Sequence, residues 1–309
     1  MFTAKKGRLI ALGAVVVGAS IALAGCSSSS PLSTKTSAPK GTIVVGSQSY
    51  YEDVTIAEIY SQALENAGYK VTRDFNIGQR AVYLPQLKNG KIDLFPEYEG
   101  DFLQQGGFGQ EKASGDADKI YSTLKSALPS NLRVLDKAAA SDGNSYTTTQ
   151  DYAKKYHLTD VASLKKAPQP VTVGGNPELQ SRVGYGLDTL KSKYGIDTTL
   201  TTVGDNGGPL TLKALVGGTV HIANIYTADP NIKSNHLVAL ADPDGIFLPD
   251  NIVPIASKKV DSGAAAIINK VQAKLSQAEL LKLNDESVNQ KLAAPAIAKA
   301  WLKAEGLVK

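Results

Sequence analysis

Residues 97–101, Glu-Tyr-Glu-Gly-Asp, place three carboxylates and a phenol within five positions. Glu97 and Glu99 are an acidic pair of the kind that can do acid–base work. They share a face only if a strand continues past Pro96, because side chains alternate along a strand. The run Ile92, Leu94, Phe95 is read as a short apolar strand that ends at Pro96, so the pair gives catalysis little support. Other enzyme chemistries lack their residues. The histidines, His157, His221 and His236, fall at no metal-ligand spacing. There is no Gly-x-Ser-x-Gly elbow and no phosphate-cradling loop with a lysine. Cys26 is the one cysteine, which excludes a thiolate metal cluster, a redox pair and an internal disulfide. The sequence therefore predicts no enzyme, no metal and no cofactor. Residues 205–209, DNGGP, could lend backbone N–H groups to an anion at a helix start; a plain turn is the preferred reading. A lobe built of strands and helices would gather a ligand beyond the carboxyl ends of its strands, which is where residues 97–100 fall.

The elements that must position these residues follow from periodicity. Residues 42–45 are a β-branched strand ending at Gly46, and a helix then runs to about residue 67 with Ile56, Tyr60, Ala63, Leu64 and Ala67 on one face. A strand over 71–75 follows. Residues 80–87 read as a helix from Ala81, Leu84 and Leu87, stopped at Asn89-Gly90. Residues 106–118 read as a polar loop, 117–128 as a helix and 133–140 as a strand. In the second half the expected order is a strand over 145–149, helices over 151–156 and 161–166, a strand over 171–174, and a helix over 179–194 ending at Gly195. A strand over 199–203, a helix over 210–216 and a strand over 220–226 complete that unit. Runs 237–240 and 252–256 are expected to return to the first lobe as strands, and helices over 263–275, 277–288 and 295–306 close the chain. Strand–helix alternation of this kind predicts parallel sheets covered by helices.

Lys5, Lys6 and Arg8 precede an apolar run over 9–23, and Leu-Ala-Gly-Cys closes it at Cys26. This is the pattern of a secretory signal over 1–25 with lipidation of Cys26, and the run is short for a membrane span. Residues 26–40 form a Ser/Thr/Pro tether. The leader holds three of the 33 Lys and Arg residues and none of the 29 acidic ones. The exported chain is thus nearly neutral, and no basic patch suggests nucleic acid. An extracytoplasmic protein anchored to the membrane by lipid follows.

The stretch GQRAVYLPQLKNGKIDLFPEYEG resembles a motif of the osmoprotectant-binding proteins of ABC importers, those for glycine betaine, choline and related quaternary amines. GSQSYYEDVTIAEIYSQALENAGYKV, GGNPELQSRVGYGLDTLKSKYGID and IFLPDNIVPIAS extend the likeness from about residue 42 to 308. The resemblance implies an α/β, two-lobed class II periplasmic-binding-protein fold with two crossover segments: lobe 1 over 41–143, lobe 2 over 144–243, and a return to lobe 1 over 244–309. It also implies a monomer that traps a small cationic or zwitterionic solute between lobes and hands it to a membrane permease. A quaternary ammonium has no N–H to donate, so ring faces must hold it, and the chain has 13 tyrosines against 6 phenylalanines. The family's ligand positions fall on Tyr83, Tyr98 and Tyr226, with Arg182 for a ligand carboxylate. Ser49, in the turn after the first strand, either lines the cleft or caps a helix. Leu212 stands where some members carry a further tyrosine, and Glu99 and Asp101 where threonines often follow. A different solute, such as an amino acid or polyamine, is the alternative.

Overall fold

Thr42–Gly46 (β1) is the strand from which the first sheet grows, and its Thr-Ile-Val-Val run suits a pleated surface covered on both sides. The computed structural model describes residues 41–308. The leader, Cys26 and the whole tether lie outside the described residues. From β1 the chain makes two crossover returns: Tyr51–Asn66 (α1) to Lys70–Asp74 (β2), then Arg80–Lys88 (α2) to Leu94–Tyr98 (β3). Both β2 and β3 lie parallel to β1. Glu99–Gln105 (α3), Ala117–Ala127 (α4) and Leu132–Val134 (β4) complete this stage.

The chain then crosses to a second sheet through Tyr146–Thr149 (β5), Gln150–Tyr156 (α5) and a 3₁₀ turn at Ala162–Lys166. Val171–Gly175 (β6), a 3₁₀ turn at Pro177–Gln180, Leu187–Tyr194 (α6), Thr198–Thr202 (β7), Pro209–Val216 (α7) and Ile222–Asn224 (β8) follow. Asn231–Ser234 (α8) and Leu237–Ala239 (β9) end that lobe. The chain crosses back into Ile252–Ser257 (β10) and finishes with Ser262–Lys274 (α9), Gln277–Val288 (α10) and Ala294–Ala304 (α11). The sheet orders are β2-β1-β3-β10-β4 and β7-β6-β8-β5-β9. In each, three parallel strands meet one antiparallel strand that arrives from the other lobe's side of the chain. Apolar clusters pack on both sheets, and the covered strands β1 and β10 read as near-continuous apolar runs, whereas the edge strands β2 and β7 are largely exposed and polar. No helix among the described residues is long and apolar enough to cross a membrane.

Four expectations are corrected. The strand at residue 92 does not stop at Pro96: β3 continues to Tyr98, with Pro96 opposite Pro254 of β10. Neither proline has an N–H, so the pair sits where the ladder needs none, and β1 pairs with β3 at Val45 and Leu94, short of Pro96. Residues 179–194 are not one helix. Gly184 takes φ +88°, and a side chain on Gly186 would meet the Arg182 carbonyl at 2.5 Å, so a turn precedes α6. Leu237–Ala239 pairs with β5 in the second sheet instead of returning to the first. Residues 133–140 form a regular strand only as far as Val134, beyond which the Leu135 and Ala138 N–H groups donate singly to the Pro254 and Ile252 carbonyls of β10.

Candidate functional site

The two crossings, residues 135–145 and 240–251, run side by side and make the floor of a cleft. Ser141 bridges Asn251, and the Asp142 N–H donates to the Asp250 carbonyl at 3.1 Å. Each crossing delivers a buried aspartate, Asp142 and Asp250. The space between its walls is about 450 Å³ with the open mouth counted, and only about 30 Å³ of it can hold the centre of a water molecule. Its walls come from the turn after β1 (Gln48, Tyr50), the start of α2 (Gln79, Arg80) and the β3–α3 junction (Tyr98, Asp101) on one side. The turn before α6 (Arg182), Asn206 and Tyr226 face them.

One end holds charge in pairs. Arg80 donates to Glu97 (3.0 Å) and to Asp101 (2.8 Å), and Arg182 donates to both oxygens of Asp101 at 2.8 and 2.7 Å. The Tyr185 hydroxyl adds a bond to Asp101 at 3.1 Å. Burial works against the charged Asp101, but the Arg182 and Arg80 guanidiniums overcome it and hold the carboxyl well below the usual carboxylate range. Gly100 places this residue. A side chain there would run into the Pro249 carbonyl, so α3 packs directly on the second crossing, and the Asp101 N–H donates to Asp250 at 2.7 Å.

The other end holds tyrosines and carboxyls. Tyr50 and Tyr226 meet ring edge to ring face, centroids 5.2 Å apart. The Tyr50 hydroxyl donates to Asp142 at 3.2 Å, and the Tyr98 hydroxyl donates to Glu52 at 2.6 Å. Asn284 of α10 also donates to Glu52. Burial pushes the Glu52 carboxyl up to about 7 against the pull of those two bonds. Asp142 is also raised well above the usual carboxylate range, by burial and then by the charge of Glu52. Burial also raises the Tyr50, Tyr98 and Tyr226 hydroxyls, so all three stay neutral donors at physiological pH.

Of the residues singled out from the sequence, Tyr98, Arg182 and Tyr226 come together on this cleft. Tyr83 stands behind its wall. Its ring is fully buried and stacks on Phe95 at 4.3 Å, and its hydroxyl donates to Glu97 at 2.6 Å while accepting from Arg80. Ser49 lies outside the cleft, in an adjoining depression, and it does not cap α1, whose N-cap is Tyr50 without a side-chain bond. Leu212 packs in the apolar layer against β8 and does not face the cleft. Glu99 turns away toward Lys137, and burial pushes it up to about 7. Asp205 caps α7 with its own carboxylate, accepting from Leu210 at 2.6 Å, so the DNGGP segment is a turn whose helix start is already satisfied. Sequence reasoning missed Tyr50, Asp142, Asp250 and Asn206. Asn206 sits at φ +55° and joins the lobes by accepting from Gln79 at 2.8 Å. The signals available for two of them were the doubled tyrosine after a strand end and the Asn-Gly-Gly turn.

A model described as the substrate-binding domain of ABC-type glycine betaine transport systems matches residues 41–304. The chain is 27% identical over 300 residues to the carnitine transport binding protein OpuCC of Listeria monocytogenes, covering 94% of both chains. It is 26% identical to the glycine betaine-binding protein YehZ of Escherichia coli, covering 86% of this chain and 92% of that one. A crystal structure described as a glycine betaine/carnitine/choline ABC transporter superposes with a TM-score of 0.68 at 23% identity, covering 86% and 99%. The two-lobed α/β architecture with paired crossings is thus shared with such binding proteins, and the relatives are transport proteins and not enzymes. The chain belongs to the family of substrate-binding domains of ABC-type glycine betaine transport systems.

Proposed function

We propose that the chain captures a quaternary-ammonium solute between its lobes and delivers it to the permease of an ABC importer, working outside the cytoplasm on a lipid anchor at Cys26. The observation that carries this is the tyrosine end of the cleft. Tyr50, Tyr98 and Tyr226 line it, while the carboxyls of Asp142 and Glu52 beside them have no cationic side chain as partner among the described residues. A quaternary ammonium is held by aromatic faces and by negative potential, with no need of an acceptor for an N–H. The Tyr50 and Tyr98 hydroxyls donate to carboxylates, which leaves those two rings more electron-rich and strengthens the attraction. The relatives named for carnitine and for glycine betaine support the same class of solute.

Calorimetry against choline, glycine betaine and carnitine tests the reading, with a neutral isostere in which carbon replaces the ammonium nitrogen as control. At least one quaternary amine should bind, and the isostere of equal shape should bind about tenfold or more weakly, given the strength of a desolvated cation–π contact. Equal binding of cation and isostere would reduce the site to an apolar pocket. For the anchor, Cys26→Ala should release the protein from membranes, since the thiol that takes the diacylglycerol is gone.

A further inference from the structure

The depression that adjoins the cleft is roomier than the cleft itself. About 330 Å³ of it can hold the centre of a water molecule, which reaches the lower end of the range for small-ligand sites. Both lobes build it: Tyr50, Tyr51 and the end of α10 at Val288 from one, Asp205 and Asp229 from the other. Asp229 is only 4% exposed, and its carboxylate accepts from the Asn231 N–H at 2.7 Å. Asp205 turns its carboxylate to the start of α7, so the one helix end that could draw an anion here is already covered. Among the described residues neither carboxylate forms a salt bridge, and no lysine, arginine or histidine lines the depression. Tyr50 lines both spaces. Its ring centroid is 4.5 Å from that of Tyr51, which lines only the depression, and 5.2 Å from that of Tyr226, which lines only the cleft. Its hydroxyl hydrogen is on Asp142, and its oxygen, 3.2 Å from the Tyr51 hydroxyl, can accept from it.

We propose that this depression is a second binding site, for an organic cation that has no N–H to donate, in series with the cleft and parted from it by the Tyr50 ring. A metal ion would need several oxygens converging on one point. The two aspartates come from separate turns, each already accepting from backbone N–H groups, and no group of acids among the described residues could hold such an ion. A quaternary ammonium asks for less: an aromatic ring and negative potential around it, which Tyr51 and the two aspartates supply. Burial raises the Asp229 carboxyl, and a cation beside it would favour the charged form. The depression is open to water, so each contact is weaker than in an enclosed cage, and the site binds less tightly than the cleft. It shares only Tyr50 with the lining of the cleft, so its occupancy is read separately from that of the cleft.

Titration of the purified protein with tetramethylammonium chloride, followed by backbone amide resonances at constant ionic strength, tests this, with sodium chloride as the control. Asn231, Ser287 and Val288 line only the depression, and Asn144 and Asp250 line only the cleft. The first group should shift with tetramethylammonium and not with sodium, along a binding curve of its own that is weaker than the curve of the second group. Asp229→Asn should raise the dissociation constant of that weaker curve about fivefold or more, through loss of a nearby charge. Tyr51→Ala should raise it about threefold or more, and Tyr51→Phe, which keeps the ring, should leave it within about twofold. Each variant is first checked for native circular dichroism. No shift beyond the sodium control would overturn the inference, as would a curve unchanged in folded Asp229→Asn and Tyr51→Ala. A single curve shared by both groups of reporters would also overturn it, since the depression would then only register events in the cleft. Shifts confined to the depression would support the inference and overturn the quaternary-ammonium reading of the cleft; shifts confined to the cleft would do the reverse.

Discussion

The two ends of the cleft contain similar numbers of ionisable groups and treat them in opposite ways. At the arginine end, Arg80 and Arg182 are each in contact with Glu97 or Asp101, and Asp101 is held ionised although little exposed. At the tyrosine end, Glu52 and Asp142 are buried beside hydroxyls and amides, and burial pushes both toward the protonated form. Hydrogen bonds from neutral donors lower the cost of a buried charge without cancelling it. The first end is complete and contributes to stability and to the contact between lobes. The second end is incomplete, and a cation arriving there would supply the missing charge. A stable protein does not need the second arrangement, which is the reason to assign it to binding.

Substitution should separate the ends by the property that fails. The largest effect is expected at the arginine end. Arg80→Met removes the partner of two carboxylates, and breaking a buried pair of this kind costs about 3–5 kcal/mol. Chemical unfolding of the variant should show that loss, and a change below about 1 kcal/mol would mean that the pairs are as weak as exposed ones. Asp142→Asn should act the other way. The fold loses a charge that it buries at a cost, so stability should be held or raised. Affinity for a quaternary cation should fall by roughly 2 kcal/mol, the Coulomb energy of one charge several ångströms away at an effective dielectric constant near 20. Tyr98→Ala and Tyr226→Ala should weaken binding by about 1–2 kcal/mol each, through loss of the ring. Tyr226→Phe should weaken it less. If hydroxyl removal and ring removal prove equal, the tyrosines act as hydrogen-bond donors and the comparison between ends has to be redrawn.

The same contrast predicts a pH dependence. The folded protein holds Glu52 at about 7 against an ordinary 4.5, so the acid binds its proton more tightly folded than unfolded. In the absence of a cation this group lowers stability progressively as pH rises from about 4.5 to about 7. Asp142 and Asp229 beside it are shifted in the same direction, while Tyr98 and Asn284 are neutral donors to it. A bound cation favours the carboxylate and pulls that value back down, so binding below pH 7 must release a proton. Affinity for choline should rise about tenfold between pH 5 and pH 8, and calorimetry at pH 6 in buffers of different ionisation enthalpy should report the proton. A flat profile with no proton released would place the cation away from Glu52 and Asp142.

Much of this was legible in the sequence, and the misses have physical causes. The helix α2 was visible because Ala81, Leu84 and Leu87 step along one face. The covered strands were visible because both faces are apolar. What failed was long range. Pro96 reads as a strand end, and only the partner Pro254, more than 150 residues away, makes it a tolerated ladder position. Gly184 and Gly186 were present as helix breakers inside residues 179–194, but their purpose, aiming Arg182 and Tyr185 at Asp101, depends on the opposite lobe. Arg182 was expected to meet a ligand carboxylate; in the structure its partner is the Asp101 carboxylate of the chain itself. Tyr83 carries the right ring in the right motif, yet its place behind the wall is set by the stack on Phe95. Asp142 and Asp250 lie on the crossings, which have no periodicity to read.

The smallest effect is expected at Ser49, and it sharpens the boundary of the site. Ser49 is exposed, and its turn is held by backbone groups: its N–H donates to the Gly78 carbonyl at 3.4 Å, and its own carbonyl accepts from the Asn206 side chain at 3.4 Å. Its hydroxyl neither lines the cleft nor caps α1. Ser49→Ala keeps every one of those backbone contacts. Stability and affinity should both stay within about 0.5 kcal/mol of the unaltered protein, as for an ordinary surface substitution. Asn206→Ala is the matched comparison, because it removes the acceptor for Gln79 and Asn176 as well as the donor to Ser49. It should cost about 1 kcal/mol or more, since each of those bonds contributes on that order and the two donors are left facing an apolar methyl. Parallel titrations of the two variants decide the matter. A loss of tenfold or more in Ser49→Ala would mean that the hydroxyl itself meets the solute, and the wall of the site would then have to be extended into the depression beyond Tyr50.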